Sequence, residues 1–88
     1  YHPANAIEQI ATQRWIHLYL DGWEAWAEWR RTGFPVLTAG PNSANPAGIP
    51  GRLKYPAADK TVNTENYNPV VAQQGADDLN TRVWWDRP

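Results

Sequence analysis

The chain has 88 residues and a formal net charge of −1, with eight Lys or Arg against nine Asp or Glu. That length bounds it to one domain, and the near balance of charge argues against a general phosphate-binding surface, which needs a basic excess. Without cysteine there is no disulfide framework and no thiolate metal site, and no apolar run approaches the roughly 18 residues of a membrane span.

The sequence also lacks methionine and carries no charged segment followed by an apolar one, so no signal peptide is read in it. A C-terminal portion of a longer protein is therefore expected. A chain this short hides only about 60–65% of its unfolded surface when it folds alone. Isolated residues 1–88 are expected to be partly molten or insoluble, without a cooperative thermal transition.

Residues 4–20, "ANAIEQIATQRWIHLYL", read as an amphipathic helix. Ile7, Ile10, Ala11, Arg14 and Leu18 share one stripe at helical spacing, with Trp15 and Tyr19 on the next. Asn5 is the expected N-cap, with Glu8 closing a capping box. Arg14 inside an apolar stripe is expected to be a buried guanidinium paired with a carboxylate such as Glu24. Asp21–Gly22 breaks the pattern, because glycine inside a helix costs about 1 kcal/mol against alanine. A second helix over 23–32 follows. Glu24, Glu28 and Arg31 make a salt-bridged face on it, and Trp26 and Arg30, four apart, can stack. Gly33 stands where a C-cap glycine belongs, and Pro35 forbids continuation.

Residues 34–61 are rich in proline and show neither strand nor helix period. They read as ordered coil, with turns at Gly40–Pro41 and Pro50–Gly51. A coil that long is unusual inside a compact domain. Its scattered Phe34, Val36, Leu37, Ile49, Leu53 and Tyr55 are expected to pack on a larger body. A short helix is expected over 64–74, capped by Asn63 or Asn68 and closed by Gly75. Pro69 fits it only if it lies in the first turn. In "ADDLNTRVWWDRP", Asp77, Asp78 or Asn80 starts a final turn, and Val83, Trp84 and Trp85 form an aromatic anchor. The organisation is thus a helix pair (4–33), ordered coil (34–62), and a short helix with the aromatic anchor (63–88).

Candidate chemistry is sparse. His17 and Asp21 are four apart and could form a base or half a metal site. No third ligand follows at a sensible spacing, and His2 lies in the terminus. Asp77–Asp78 is a carboxylate pair, but adjacent residues diverge, whereas glycosidases need two carboxyls facing across a substrate at about 5–9 Å. Capping or an ion pair with Arg82 is the expected use. There is no nucleophile elbow, phosphate loop or HExxH. Neither catalytic nor metal residues are assigned. Six tryptophans could stack on sugars or bases, but base stacking lacks a basic groove here. Core packing is favoured for Trp15, Trp23 and Trp26, since Trp buries about 200 Å². Trp29 lies about 60° round the helix from Trp26 and is expected to be partly exposed. Of Trp84 and Trp85, one is expected to be buried.

The order of "QRWIHLYLDGWEAWAEWRRTGFPVL", "IPGRLKYP", "NTENY" and "QQGADDLNTRVWWD" resembles the C-terminal end of SusD/RagB-type outer-membrane nutrient-binding lipoproteins. The likeness spans nearly the whole chain. It implies a mostly α fold, in which a helix pair of a tetratricopeptide-like scaffold is followed by long ordered coil and short helices, as part of one larger SusD-like domain. It implies a non-enzyme, without cofactor, that binds oligosaccharide or peptide at the cell surface. Such a protein is anchored in the outer membrane through an N-terminal lipidated segment absent here. Its implied partners are the rest of its own polypeptide and a SusC-like TonB-dependent transporter, with no nucleic acid. Two departures stand out: Asp59 replaces the Glu often found three residues after the tyrosine–proline motif, and Pro69 interrupts a segment that is usually plain helix. The family's ligand loops lie earlier in the chain, so no ligand-binding residue carries over and that set stays unknown. Two other readings remain, a fragment of a carbohydrate-active enzyme and a purely structural helical scaffold.

Overall fold

A computed structural model describes residues 1–86. The chain is mostly helical, with no strand among these residues. Contacts cluster into two units, residues 1–38 and the residues from Ala39 onward.

The first unit is a helix hairpin. A 3-10 turn, Pro3–Asn5, leads into α1, Ala6–His17, and α2 is Gly22–Thr32. Asn5 takes the N-cap position, but its side chain makes no cap bond. The expected capping box does not form, because the Asn5 N–H that Glu8 would accept already donates to the His2 carbonyl at 3.0 Å. The helix also stops short of residue 20. Leu18 N–H donates to Arg14 O and Tyr19 N–H to Ile16 O, which tightens the chain into the link. Asp21 then caps α2, its carboxylate accepting from Glu24 N–H at 3.2 Å. This makes Gly22 the first helical residue rather than a kink. At the far end Gly33 has φ 73° and donates its N–H to Trp29 O at 2.7 Å.

α1 and α2 pack together. The seam is narrow, and its centre is Ala11, 2% exposed, the one buried apolar residue described. Trp15 and Leu18 are half-buried, whereas Ile7 and Ile10 are exposed. Half of the expected apolar stripe therefore faces away from the partner helix. Arg14 is corrected too: its side chain is 54% exposed, and the buried member of its ion pair is Glu28. Arg14 Nε lies 3.4 Å from Glu28, with Glu24 more distant at 3.9 Å. Arg31 closes on Glu28 from the next turn at 2.5 Å.

The second unit holds α3, Ala57–Val62, and α4, Thr64–Gln74, which pack on each other. The stretch expected as coil thus contains a short helix, started just after Pro56, which supplies extended geometry at the N-cap. α4 has the expected bounds, but Pro69 sits at its sixth position, beyond the first turn. There it removes only the donor to Glu65 O, and the helix continues to Gln74. Gly75 ends it with φ 101°.

Loop segments are held by side chains. Ser43 N–H bonds Gly40 O, giving the expected turn there, whereas Gly51 N–H reaches across to Leu79 O at 2.9 Å. Asn45, 8% exposed, exchanges carboxamide bonds with Asn80 at 2.9 and 3.1 Å, 35 residues away. Asp78 accepts from Asn80 N–H, Thr81 N–H and the Thr81 hydroxyl, an Asx turn that starts the final segment.

Three glycines have positive φ, Gly33, Gly48 and Gly75, and replacing the first and last of them separates backbone strain from steric clash. An added Cβ at Gly33 meets nothing within 4 Å, so Gly33→Ala carries only the left-handed strain of about 1–2 kcal/mol. At Gly75 the Cβ would also meet Thr81 Cγ2 at 3.1 Å. Gly75→Ala is expected to be the more destabilising of the two by denaturant titration of the intact protein. Gly40→Ala, in open space and without a positive φ, is expected to be neutral or stabilising by up to about 1 kcal/mol.

Candidate functional site

The densest polar constellation gathers residues from four places in the second unit. Asp77, just after α4, accepts Tyr55 N–H at 3.0 Å and Arg52 Nη2 at 3.4 Å through Oδ1, and the Tyr67 hydroxyl at 3.0 Å through Oδ2. The Arg52 and Asp77 side chains are only 10% and 12% exposed. Arg52 also donates to Leu53 O at 3.0 Å, and its guanidinium lies 5.3 Å from the Tyr55 ring centre. Tyr55 donates its hydroxyl to Gln74 at 3.3 Å and meets Tyr67 edge-on, with ring centres 6.2 Å apart at 81°.

These contacts set the protonation states. The Tyr55 N–H, followed by the Tyr67 hydroxyl and Arg52, holds Asp77 below the ordinary carboxylate range, although its partial burial pulls the other way. Asp78 is lowered as well, first by the Asn80 and Thr81 N–H groups. Burial and the neighbouring Asp77 push the Tyr67 phenol up. Both aspartates are held ionised by their donors, so neither is poised to give a proton to a substrate. Their partners also differ from expectation: Arg52 rather than Arg82 pairs with Asp77, and Arg82 instead reaches Asp86 O at 3.4 Å.

Beside this hub lies an open cleft of about 180 Å³, lined by Tyr55, Asp59, Asn63, Asn66, Tyr67 and Val70. The edge of α3, the N-terminal turns of α4 and the loop leading to Pro56 bring these residues together. None of them was singled out from the sequence as a site. The one available signal was the clustering of Asn, Asp and Tyr through 55–67, which has no helical or strand period to flag it.

The residues expected to carry chemistry are dispersed. The Asp21 carboxylate is used as the α2 cap. Among the described residues no three His, Cys, Asp or Glu side chains converge as a metal site. Trp26 is half-buried, with the Arg30 guanidinium 4.0 Å from its ring centre and Trp23 edge-on at 5.9 Å. Trp23, expected to be packed, is 73% exposed. It sits in the first turn of α2. Trp29 is half-buried. Trp84 and Trp85 are both exposed, at 82% and 43%, so the expected buried member is absent.

Against known proteins, the family model for SusD-like proteins, described as Susd and RagB outer membrane lipoprotein, matches residues 2–86. A solved structure titled "Bacteroidetes AC2a SusD-like" superimposes with a TM-score of 0.76 at 36% identity, covering 93% of this chain and 16% of that one. The chain thus spans about a sixth of the length of that structure. No curated protein matches.

Proposed function

This chain belongs to the SusD-like family of outer membrane lipoproteins, and from that premise we propose that it serves non-catalytic capture of nutrient oligosaccharides or peptides at the cell surface. The family match across residues 2–86 carries this reading. In it, residues 1–88 form part of one SusD-like domain, anchored to the outer membrane by a lipidated segment. The captured ligand passes to a SusC-like TonB-dependent transporter. No helix among the described residues is long and apolar enough to cross a membrane.

The exposed surface supports a role for these residues as one piece of that domain. Ile7, Ile10, Ile16, Tyr19, Leu20 and Trp23 are 55–93% exposed in the hairpin. A helix pair apolar on several sides is a buried one, and the remainder of the same polypeptide is the partner that would cover it. The alternative of a carbohydrate-active enzyme fragment draws no support from Asp77 and Asp78, which are consumed by hydrogen bonds.

Calorimetric titration of the intact protein with neutral oligosaccharides and with short peptides tests this function. Saturable binding without release of reducing sugar or new peptide termini is expected. Turnover of either class would replace the capture reading with an enzymatic one. Co-purification with a TonB-dependent receptor from detergent-solubilised outer membranes tests the hand-over.

A further inference from the structure

We propose that the cleft between α3 and α4 is a subsite for one pyranose residue of a neutral glycan. The proposal rests on the glycan-capture reading above and adds a location that the reading does not supply. Its volume, about 180 Å³, is well below the roughly 300–1,000 Å³ of pockets for drug-sized ligands. That is room for a single six-membered ring, with an open side through which a chain can continue.

The lining has the two surfaces that such a ring needs. Tyr55 and Tyr67 stand nearly perpendicular and offer aromatic carbon to the C–H face of a sugar. Their hydroxyls are occupied by Gln74 and Asp77, which fixes the rings in place. Opposite polarity comes from three side chains. Asn66 Nδ2 donates to Asn63 Oδ1 at 2.7 Å, which leaves the Asn66 oxygen as acceptor and the Asn63 amide as donor. Asp59 lines the same cleft, and its carboxylate has no hydrogen bond or ion pair to another described side chain. A carboxylate accepts from two adjacent hydroxyls at once, while the carboxamides both give and accept. That set matches a vicinal diol, which must donate and accept together. The same carboxylate repels phosphate or sulfate.

Intact protein titrated calorimetrically with maltohexaose, cellohexaose, xylohexaose and mannohexaose identifies a hexaose that binds. The same hexaose is then titrated into Asp59→Ala, Asp59→Asn and Asn66→Ala, each checked for a wild-type melting temperature. A rise in Kd of about 5–10-fold is expected for each alanine variant, with a smaller rise for Asp59→Asn. Unchanged Kd in every folded variant overturns the subsite and leaves glycan capture standing. Failure of all four hexaoses to bind wild type overturns the subsite and leaves the capture reading to its peptide arm. Trilysine that binds wild type and is lost with Asp59→Asn would assign the cleft to a cation instead and overturn the proposal.

Discussion

Asp77→Ala is expected to lower the melting temperature of the intact protein by at least about 2–4 °C, the shift that about 1 kcal/mol produces in a domain of roughly 150–250 residues. The alanine leaves the Arg52 guanidinium, only 10% exposed, without its counter-ion. It also strands the Tyr55 N–H and the Tyr67 hydroxyl, which lose their acceptor. Removing one member of such a group does more harm than never having built it, because the remaining polar atoms stay desolvated. Asp77→Asn keeps one oxygen but no charge, and is expected to recover part of the loss. Scanning calorimetry of the intact protein checks both, and a wild-type melting temperature for Asp77→Ala would remove the hub from any account of stability.

The same residue makes an acid-side prediction. Asp77 and Glu28 are both lowered on folding from ordinary values of 3.8 and 4.5. For Glu28 the leading cause is the Arg31 hydrogen bond, with Arg31 and Arg14 also acting through their charge. A carboxylate depressed in the folded state gives stability that is fully present above its unfolded value and is lost as pH falls toward the folded one. Melting temperature should therefore fall steeply below about pH 4, and Asp77→Asn should flatten that limb.

Trp26→Ala is expected to cost about 2 kcal/mol, roughly half the price of removing a fully buried tryptophan. Trp26 is half-buried and holds both the Arg30 guanidinium and the Trp23 ring edge. The stacked cation alone contributes on the order of 0.5–1 kcal/mol. Ligand affinity of the folded protein should not change, since Trp26 does not line the cleft. Unaltered stability with weakened glycan binding would instead make "WEAWAEW" a sugar platform.

Local chemistry was the legible part of this chain. The end of α2 at Gly33, the break at Asp21–Gly22, the Trp26–Arg30 stack and the full span of α4 all follow from residues within four positions of each other. α3 was not legible, because six residues hold too few turns to show a period. The Arg52–Asp77 pair spans 25 residues through an aperiodic loop, and nothing at either residue marks the other. Helical spacing placed Ile7 and Ile10 with Ala11, yet the partner helix covers chiefly Ala11. Spacing reports which residues share a face, and the angle at which a second helix crosses it decides how much is covered. Pro69 shows the opposite limit: a rule about proline was sound as a preference, but packing and the surrounding bonds carried the helix past it.

The reciprocal Asn45–Asn80 bonds bear on how the molecule ages. Asparagine is lost chemically when the next residue's backbone nitrogen attacks its side-chain carbonyl, converting amide to acid. Here that conversion would replace a donor with a carboxylate facing a carbonyl, and the clasp across 35 residues would open. Asn45 is followed by Pro46, whose nitrogen has no hydrogen to surrender. Asn80 is followed by Thr81, whose N–H is held by Asp78 at 2.6 Å. The two amides that fasten this unit thus both have neighbours ill-placed to attack them, a form of durability separate from folding free energy.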